Sequence, residues 1–203
     1  MEEKMKPIIF NTDMVRAIME GRKTQTRRLI KPQPKHIQTL RDGRFETSND
    51  GGFDCDVKYI EPLYKPGDVL WVRETWAHPS DAEIAAGASP RMYLYKADKL
   101  QPAAWGKWHP SIHMPREAAR LFLRVTSVRA ERLQDISAED CIAEGIAVSP
   151  LWLSESWNKL HDYIIGEYKT VWNTCYAKDG HGWDVNDWVW VNSFEHMEEA
   201  DNG

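Results

Sequence analysis

Strand-like and helix-like segments in this chain do not take turns. "RKTQTRRLI", "VLWVRETW", "LFLRVTSVRAERLQDI" and "DWVWVNSF" read as strands, after a short apolar run at "PIIF". Helical spacing is confined to a segment after Asn11, to the short "SAEDCIAEGI" and to "SESWNKLHDYIIGEYKTVWNTCY". A doubly wound parallel sheet needs regular alternation of strand and helix. The expected class is therefore α+β, a small mixed β-barrel with short helices at its openings. No run of roughly 18 apolar residues is present that would suit a membrane span. The start, "MEEKMKPIIF", carries charges where a signal peptide needs apolar residues, so a cytoplasmic protein without membrane contact is expected.

Local punctuation sets the boundaries. Asn11 or Thr12 can cap a helix whose apolar positions are Met14, Val15, Ile18 and Met19, and Gly21 closes it in the left-handed conformation. The chain then leaves as a strand, so the basic cluster of "GRKTQTRR" sits on a helix-to-strand junction. The closely spaced Pro32 and Pro34, the Asp42-Gly43 turn signal and the Gly51-Gly52 pair predict a long surface excursion with hairpin character over residues 31–64. Pro66-Gly67-Asp68 makes a turn into a core strand over Val69–Val72, with Arg73 and Glu74 at its end. Residues 77–120 read as loops and short helical pieces around a strand at "RMYLYKA". Ser137 opens the short helix and Gly145 ends it, and the long helix turns Trp157, Leu160, Ile164, Tyr168, Val171 and Trp172 to one face.

Charge bounds the partner. Residues 1–41 hold ten Lys and Arg against four acids, a balance of +6, which leaves −11 on the remaining 162 residues of a chain whose formal net charge is −5. Most of such a surface repels phosphates while one patch attracts them. A nucleoside, a nucleotide or a short single strand of RNA suits it better than a long duplex. The three cysteines, Cys55, Cys141 and Cys175, are widely spaced and without a C-x-x-C pair, which argues against a disulfide framework or a zinc site. His109 and His113 have a ligand spacing, but Pro110 intervenes and no third ligand stands out, so no metal is expected.

Within "RKTQTRR", an extended chain puts Thr24, Thr26 and Arg28 on one face, and Lys23 reaches Thr26 if the backbone bends after Gly21. A threonine hydroxyl needs a base to become a nucleophile, and a lysine serves when burial and neighbouring cations, here Arg22, Arg27 and Arg28, lower its pKa. The plainer alternative is that the threonines favour a strand and the cations solvate a turn, which would keep Lys23 and Thr26 outside the core. Glu144 falls near the carboxyl end of a short helix, where the helix dipole disfavours negative charge, a setting for a general acid or for an ordinary exposed glutamate. Of ten tryptophans, most suit core packing, while Trp105, Trp108 and Trp183 in loops are candidates to stack on a base.

"GRKTQTRR" after a capped helix, "KPGDVLWVRETW", "SIHMPREAARLFLRVTSVRAERLQDISAEDCIAEGI" and the closing "DWVWVNSFE" together resemble the ASCH-domain family of the PUA-like superfamily, in its longer phage and prophage form. The resemblance covers the chain outside residues 35–60. It implies a single PUA-like domain over 1–203, with insertions at about 35–60 and 77–115 and an extra helix at about 154–174. It also implies association with RNA or modified nucleosides. Small bacterial N4-acetylcytidine amidohydrolases of that family share the "GRKT-x-T-x-R" motif. Their roles, carried onto matching positions, give Lys23 as base, Thr26 as nucleophile, Glu144 as acid and Arg28 as the accompanying arginine. Arg22, Thr24 and Arg28, with Trp71, Arg73 and Glu74, are then the expected substrate-binding side chains, and no cofactor is called for. A non-catalytic RNA or modified-base binder and a ribonuclease are the alternatives.

Overall fold

Asn11 caps the first helix as its chemistry predicts, its Oδ1 accepting the Met14 N–H at 2.8 Å. In this computed structural model, residues 5–48, 57–87, 89, 92–99, 107–149 and 156–197 are described. The chain runs through β1 (Lys6–Ile9), α1 (Thr12–Met19), β2 (Gln25–Leu29), β3 (His36–Thr39), β4 (Phe45–Ser48), β5 (Lys58–Ile60) and β6 (Val69–Arg73). It continues through β7 (Trp76–Ala77), α2 (Asp81–Ala85), β8 (Leu94–Tyr95), β9 (Phe122–Arg132), α3 (Ala138–Ala143), α4 (Trp157–Tyr176) and β10 (Trp188–His196). Gly21 follows α1 at φ 72° and donates its N–H to Ile18 O at 2.9 Å, so the chain leaves the helix in the left-handed turn and enters β2.

The chain divides into two compact units. The first comprises Met1–Gly21, Gly67–Arg124 and Glu195–Gly203. In it β1 runs parallel to β6, with Lys6 opposite Leu70 and Ile9 opposite Arg73, and β6 runs antiparallel to the start of β9, with Val69 opposite Arg124. Ile8, Val15, Ile18, Leu70 and Leu123 are buried.

The second unit comprises Arg22–Pro66 and Val125–Phe194. Its strand order is β9-β10-β2, and β3-β4-β5 form a separate antiparallel sheet turned by Asp42-Gly43, where Gly43 has φ 82°. The expected excursion is thus a three-stranded sheet; Asn49–Asp56 lie outside the described residues. β10 is covered on both sides. Val189 and Val191 join the cluster of Leu133, Cys141, Ile164, Tyr168, Trp172 and Trp183 from α3, α4 and their flanks. Trp190, on the opposite face, meets Phe45 edge-on at 4.6 Å between ring centroids.

The class is α+β, with mixed strand pairing and few helices. Among the described residues the strands form open sheets and no closed barrel. The long-helix face is narrower than the spacing predicts: Ile164, Tyr168 and Trp172 are buried, whereas Trp157, in the first turn, is 60% exposed. Trp183 is not a loop stacking residue but a core one, meeting Tyr168 edge-on at 6.2 Å; Trp108 is half-buried and Trp105 lies outside the described residues. The strand at "RMYLYKA" shrinks to Leu94–Tyr95, paired with β7, and Arg91 lies outside the described residues. No helix among the described residues is long and apolar enough to cross a membrane.

Candidate active site

Three successive residues at the mouth of β2 are clasped by three at the end of α3. Arg22 Nη1 donates to Gly145 O at 2.7 Å, Lys23 Nζ donates to Glu144 O at 2.8 Å, and Thr24 N–H donates to Ala143 O at 2.8 Å. The last carbonyls of a helix lack intrahelical donors, and the turn after Gly21 brings donors to them. Ser137 holds the other end of α3 by accepting the Asp140 N–H at 3.1 Å. Glu144 is the C-cap residue of this helix, as its position before Gly145 predicts.

The Glu144 carboxylate is shared by two cations. Lys23 Nζ donates to Oε2 at 2.8 Å and Arg27 Nη1 to Oε1 at 3.2 Å. Arg27 also pairs with Glu131 and Asp140, at 2.6 Å each, and Arg129 bonds the same two carboxylates, at 2.9 and 2.6 Å. Lys23, Arg27 and Arg129 thus stand against Glu131, Asp140 and Glu144, which lets a charge cluster persist where the Lys23 and Arg27 side chains have no exposure. Burial is the largest effect on Lys23 and lowers its pKa; Glu144 pulls it back up, and Arg28 and Arg27 push it further down.

The outer edge of β2 arranges the rest. β2 ends its sheet. Thr24 O accepts from Phe194 N–H at 2.8 Å, and Ile30 N–H donates to Trp188 O at 3.1 Å. Even-numbered residues therefore turn their backbone groups toward β10, and the carbonyls of Gln25 and Arg27 face the opposite edge. Lys23 Nζ donates to Gln25 O at 2.8 Å, and Arg28 Nη1 to Arg27 O at 3.0 Å. Carbonyls two residues apart on one edge lie roughly 7 Å from each other, so the ammonium and the guanidinium stand side by side along it. Between these carbonyls in sequence is Thr26, whose Oγ1 accepts from Arg28 Nη1 at 2.7 Å. Burial raises the pKa of the Tyr176 phenol at the end of α4, and Arg28 opposes that rise.

Lys23 and Thr26 are 2% and 0% exposed, so the plainer alternative of a solvated turn does not hold for these two side chains. The cause is the bend after Gly21, which sends Lys23 back over the strand edge and under Glu144. Thr24 is exposed. Trp71, Arg73 and Glu74 belong to the first unit. There Arg73 lies over the Trp71 ring at 5.4 Å and donates to Ile112 O. Glu74 is 1% exposed and paired with Arg120 at 2.9 Å; burial raises its pKa and Arg120 counters that. Arg27, expected only as a cation beside Lys23, also bridges Glu131, Asp140 and Glu144; a charged residue alternating inward on a strand is the signal that could have found Glu131 on β9, and no local signal marks Asp140 on α3.

A cavity of about 410 Å³ opens on the same unit, with Arg28, Lys31, Glu61, Tyr64, Trp190 and Asn192 in its wall. That volume is in the range of small-molecule sites. Two of these residues touch Thr26 directly: Arg28 through Oγ1 and Asn192, whose Nδ2 donates to Thr26 O at 3.3 Å. Compared with known proteins, the chain matches no family model, no curated sequence and no solved structure.

Proposed function

We propose that the protein is an ASCH-like, PUA-like amidohydrolase that removes an acyl group from the exocyclic amine of a modified cytosine nucleoside, N4-acetylcytidine or a close analogue, in the cytoplasm. The observation that carries this reading is the buried Lys23–Glu144 contact of 2.8 Å on the strand edge that holds Thr26. Lys23 fills its three N–H donors with Gln25 O, Glu144 O and Glu144 Oε2, the arrangement of an ammonium, which must lose a proton to act as a base. Glu144 Oε2 is the acceptor at hand. One proton crossing that hydrogen bond makes a neutral amine and a neutral carboxylic acid together, and a desolvated site favours such a neutral pair more than water does.

Both halves of the reaction then have their groups. The Lys23 amine takes the Thr26 hydroxyl proton as Oγ1 bonds to the acyl carbon, and Arg28, already 2.7 Å from Oγ1, is placed to stabilise the developing oxyanion. Glu144 gives its proton to N4 as the C–N bond breaks, which releases cytidine and leaves an acyl ester on Thr26. The ion pair is thereby restored. Water next attacks the ester carbon and gives a proton to the neutral Lys23 amine, formed again by transfer to Glu144. The C–O bond to Thr26 breaks, its oxygen takes a proton from Glu144, and the carboxylic acid leaves.

Incubation with N4-acetylcytidine followed by chromatography tests this. Release of cytidine and acetate by the native chain, and none by Thr26→Ala, is the expected result. Scission of an RNA strand instead, or tight binding of the modified base without turnover, replaces the proposal by the ribonuclease or by the binding module.

A further inference from the structure

Asn192 stands opposite Thr26 in the β10–β2 register, a polar residue within the otherwise apolar run of "WVWVN". Its Nδ2 donates to Thr26 O at 3.3 Å and to Trp190 O at 3.4 Å. Those two carbonyls fix the amide's orientation, because the reverse would set Oδ1 against two acceptors. Oδ1 is then a buried acceptor with no hydrogen-bond partner, on a residue 2% exposed, in the wall of the cavity that also contains Arg28. Orphaned acceptors are costly and rare in native proteins, and a ligand that brings the missing donor accounts for one at a cavity wall.

We propose that Asn192 is the residue that selects the base: its Oδ1 accepts a hydrogen bond from the exocyclic N4–H of a cytosine ring seated in this cavity. The inference rests on the nucleoside reading of the site and adds the discriminating contact. Cytosine, N4-alkylated cytosine and N4-acylated cytosine all present an N–H at this position. Uracil presents a carbonyl oxygen there, which meets Oδ1 acceptor to acceptor and leaves both unpaired. Asn192 thus decides which pyrimidine enters, whereas Lys23, Thr26 and Glu144 decide what happens to its acyl group.

The test uses binding to the full chain, which does not depend on turnover. By titration calorimetry, cytidine is expected to bind about 10- to 100-fold more tightly than uridine, the range for leaving a buried acceptor unpaired. N4-methylcytidine, with one N–H, is expected to exceed N4,N4-dimethylcytidine, with none, by a similar factor. Asn192→Leu should bring the cytidine-to-uridine ratio to near one, with folding checked by thermal unfolding. The comparisons on the unmodified chain remain decisive if that variant does not fold. Equal binding of the two nucleosides, or binding of neither at millimolar concentration, overturns the inference. Discrimination without hydrolysis of N4-acetylcytidine would sink the amidohydrolase proposal alone, and hydrolysis without discrimination would sink this one alone.

Discussion

Glu144→Gln is the most informative single change, because it keeps the shape of the side chain and removes the charge that Lys23 and Arg27 share. Arg27 retains Glu131 and Asp140 at 2.6 Å, so the uncompensated charge falls on Lys23, which has no side-chain exposure. Removing one partner of a buried pair costs about 3–5 kcal/mol, or roughly 6–20 °C in Tm for a chain of this size. Lys23 can relieve part of that by losing its proton. Its folded pKa already lies below the ordinary 10.5 through burial, and Glu144 is what pulls it back up, so the variant's Lys23 pKa falls further. The folded state then binds fewer protons than the unfolded one between that depressed value and 10.5, and stability rises with pH there, by up to about 1.4 kcal/mol per pH unit. The cost of the substitution is therefore largest at low pH and shrinks as pH rises. Urea unfolding of both proteins from pH 6 to 9 reads this directly, and the double variant Lys23→Met with Glu144→Met should recover most of the loss. A Glu144→Gln protein as stable as the parent at pH 6, with a parallel pH profile, would refute the description of this pair as a coupled buried charge.

Three further outcomes are expected. Thr26→Ala should abolish turnover at a stability cost of about 1 kcal/mol, since it removes one hydrogen bond to Arg28, while Arg28→Ala should lower kcat about 10²- to 10³-fold as an oxyanion donor; full activity in either removes that residue from the mechanism. Gly21→Ala meets no atom within 4 Å but must hold φ +72°, so a loss of about 1–2 kcal/mol is expected in thermal unfolding, and an unchanged Tm would contradict the left-handed exit from α1. RNA should bind weakly and lose affinity steeply between low and physiological salt, because −11 on residues 42–203 opposes it, whereas nucleoside hydrolysis should change little over that range; submicromolar RNA binding at physiological salt would favour the binding module.

What could be read from the sequence is what neighbouring residues decide among themselves. The Asn11 cap and the Gly21 exit of α1, the Ser137 and Gly145 ends of α3, the Asp42-Gly43 turn and the strand after Gly67 each depend on one side chain or one dihedral, acting within a few residues. The motif placed Lys23 and Thr26 at the mouth of β2 for the same reason. Burial and partnership came from elsewhere in the chain. Lys23 is a core residue because the turn after Gly21 folds it under Glu144, 121 residues away, and no local pattern encodes that. Arg27 pairs with Glu131, Asp140 and Glu144 because α3 packs over one face of β2, and Asn192 meets Thr26 because β10 pairs with β2 in that register. The sequence by itself determined the two ends of α1 and of α3 and the entry into β6, through short-range hydrogen bonding and backbone sterics; only the tertiary structure decided which charges lost their water, since desolvation depends on what the rest of the chain lays over them.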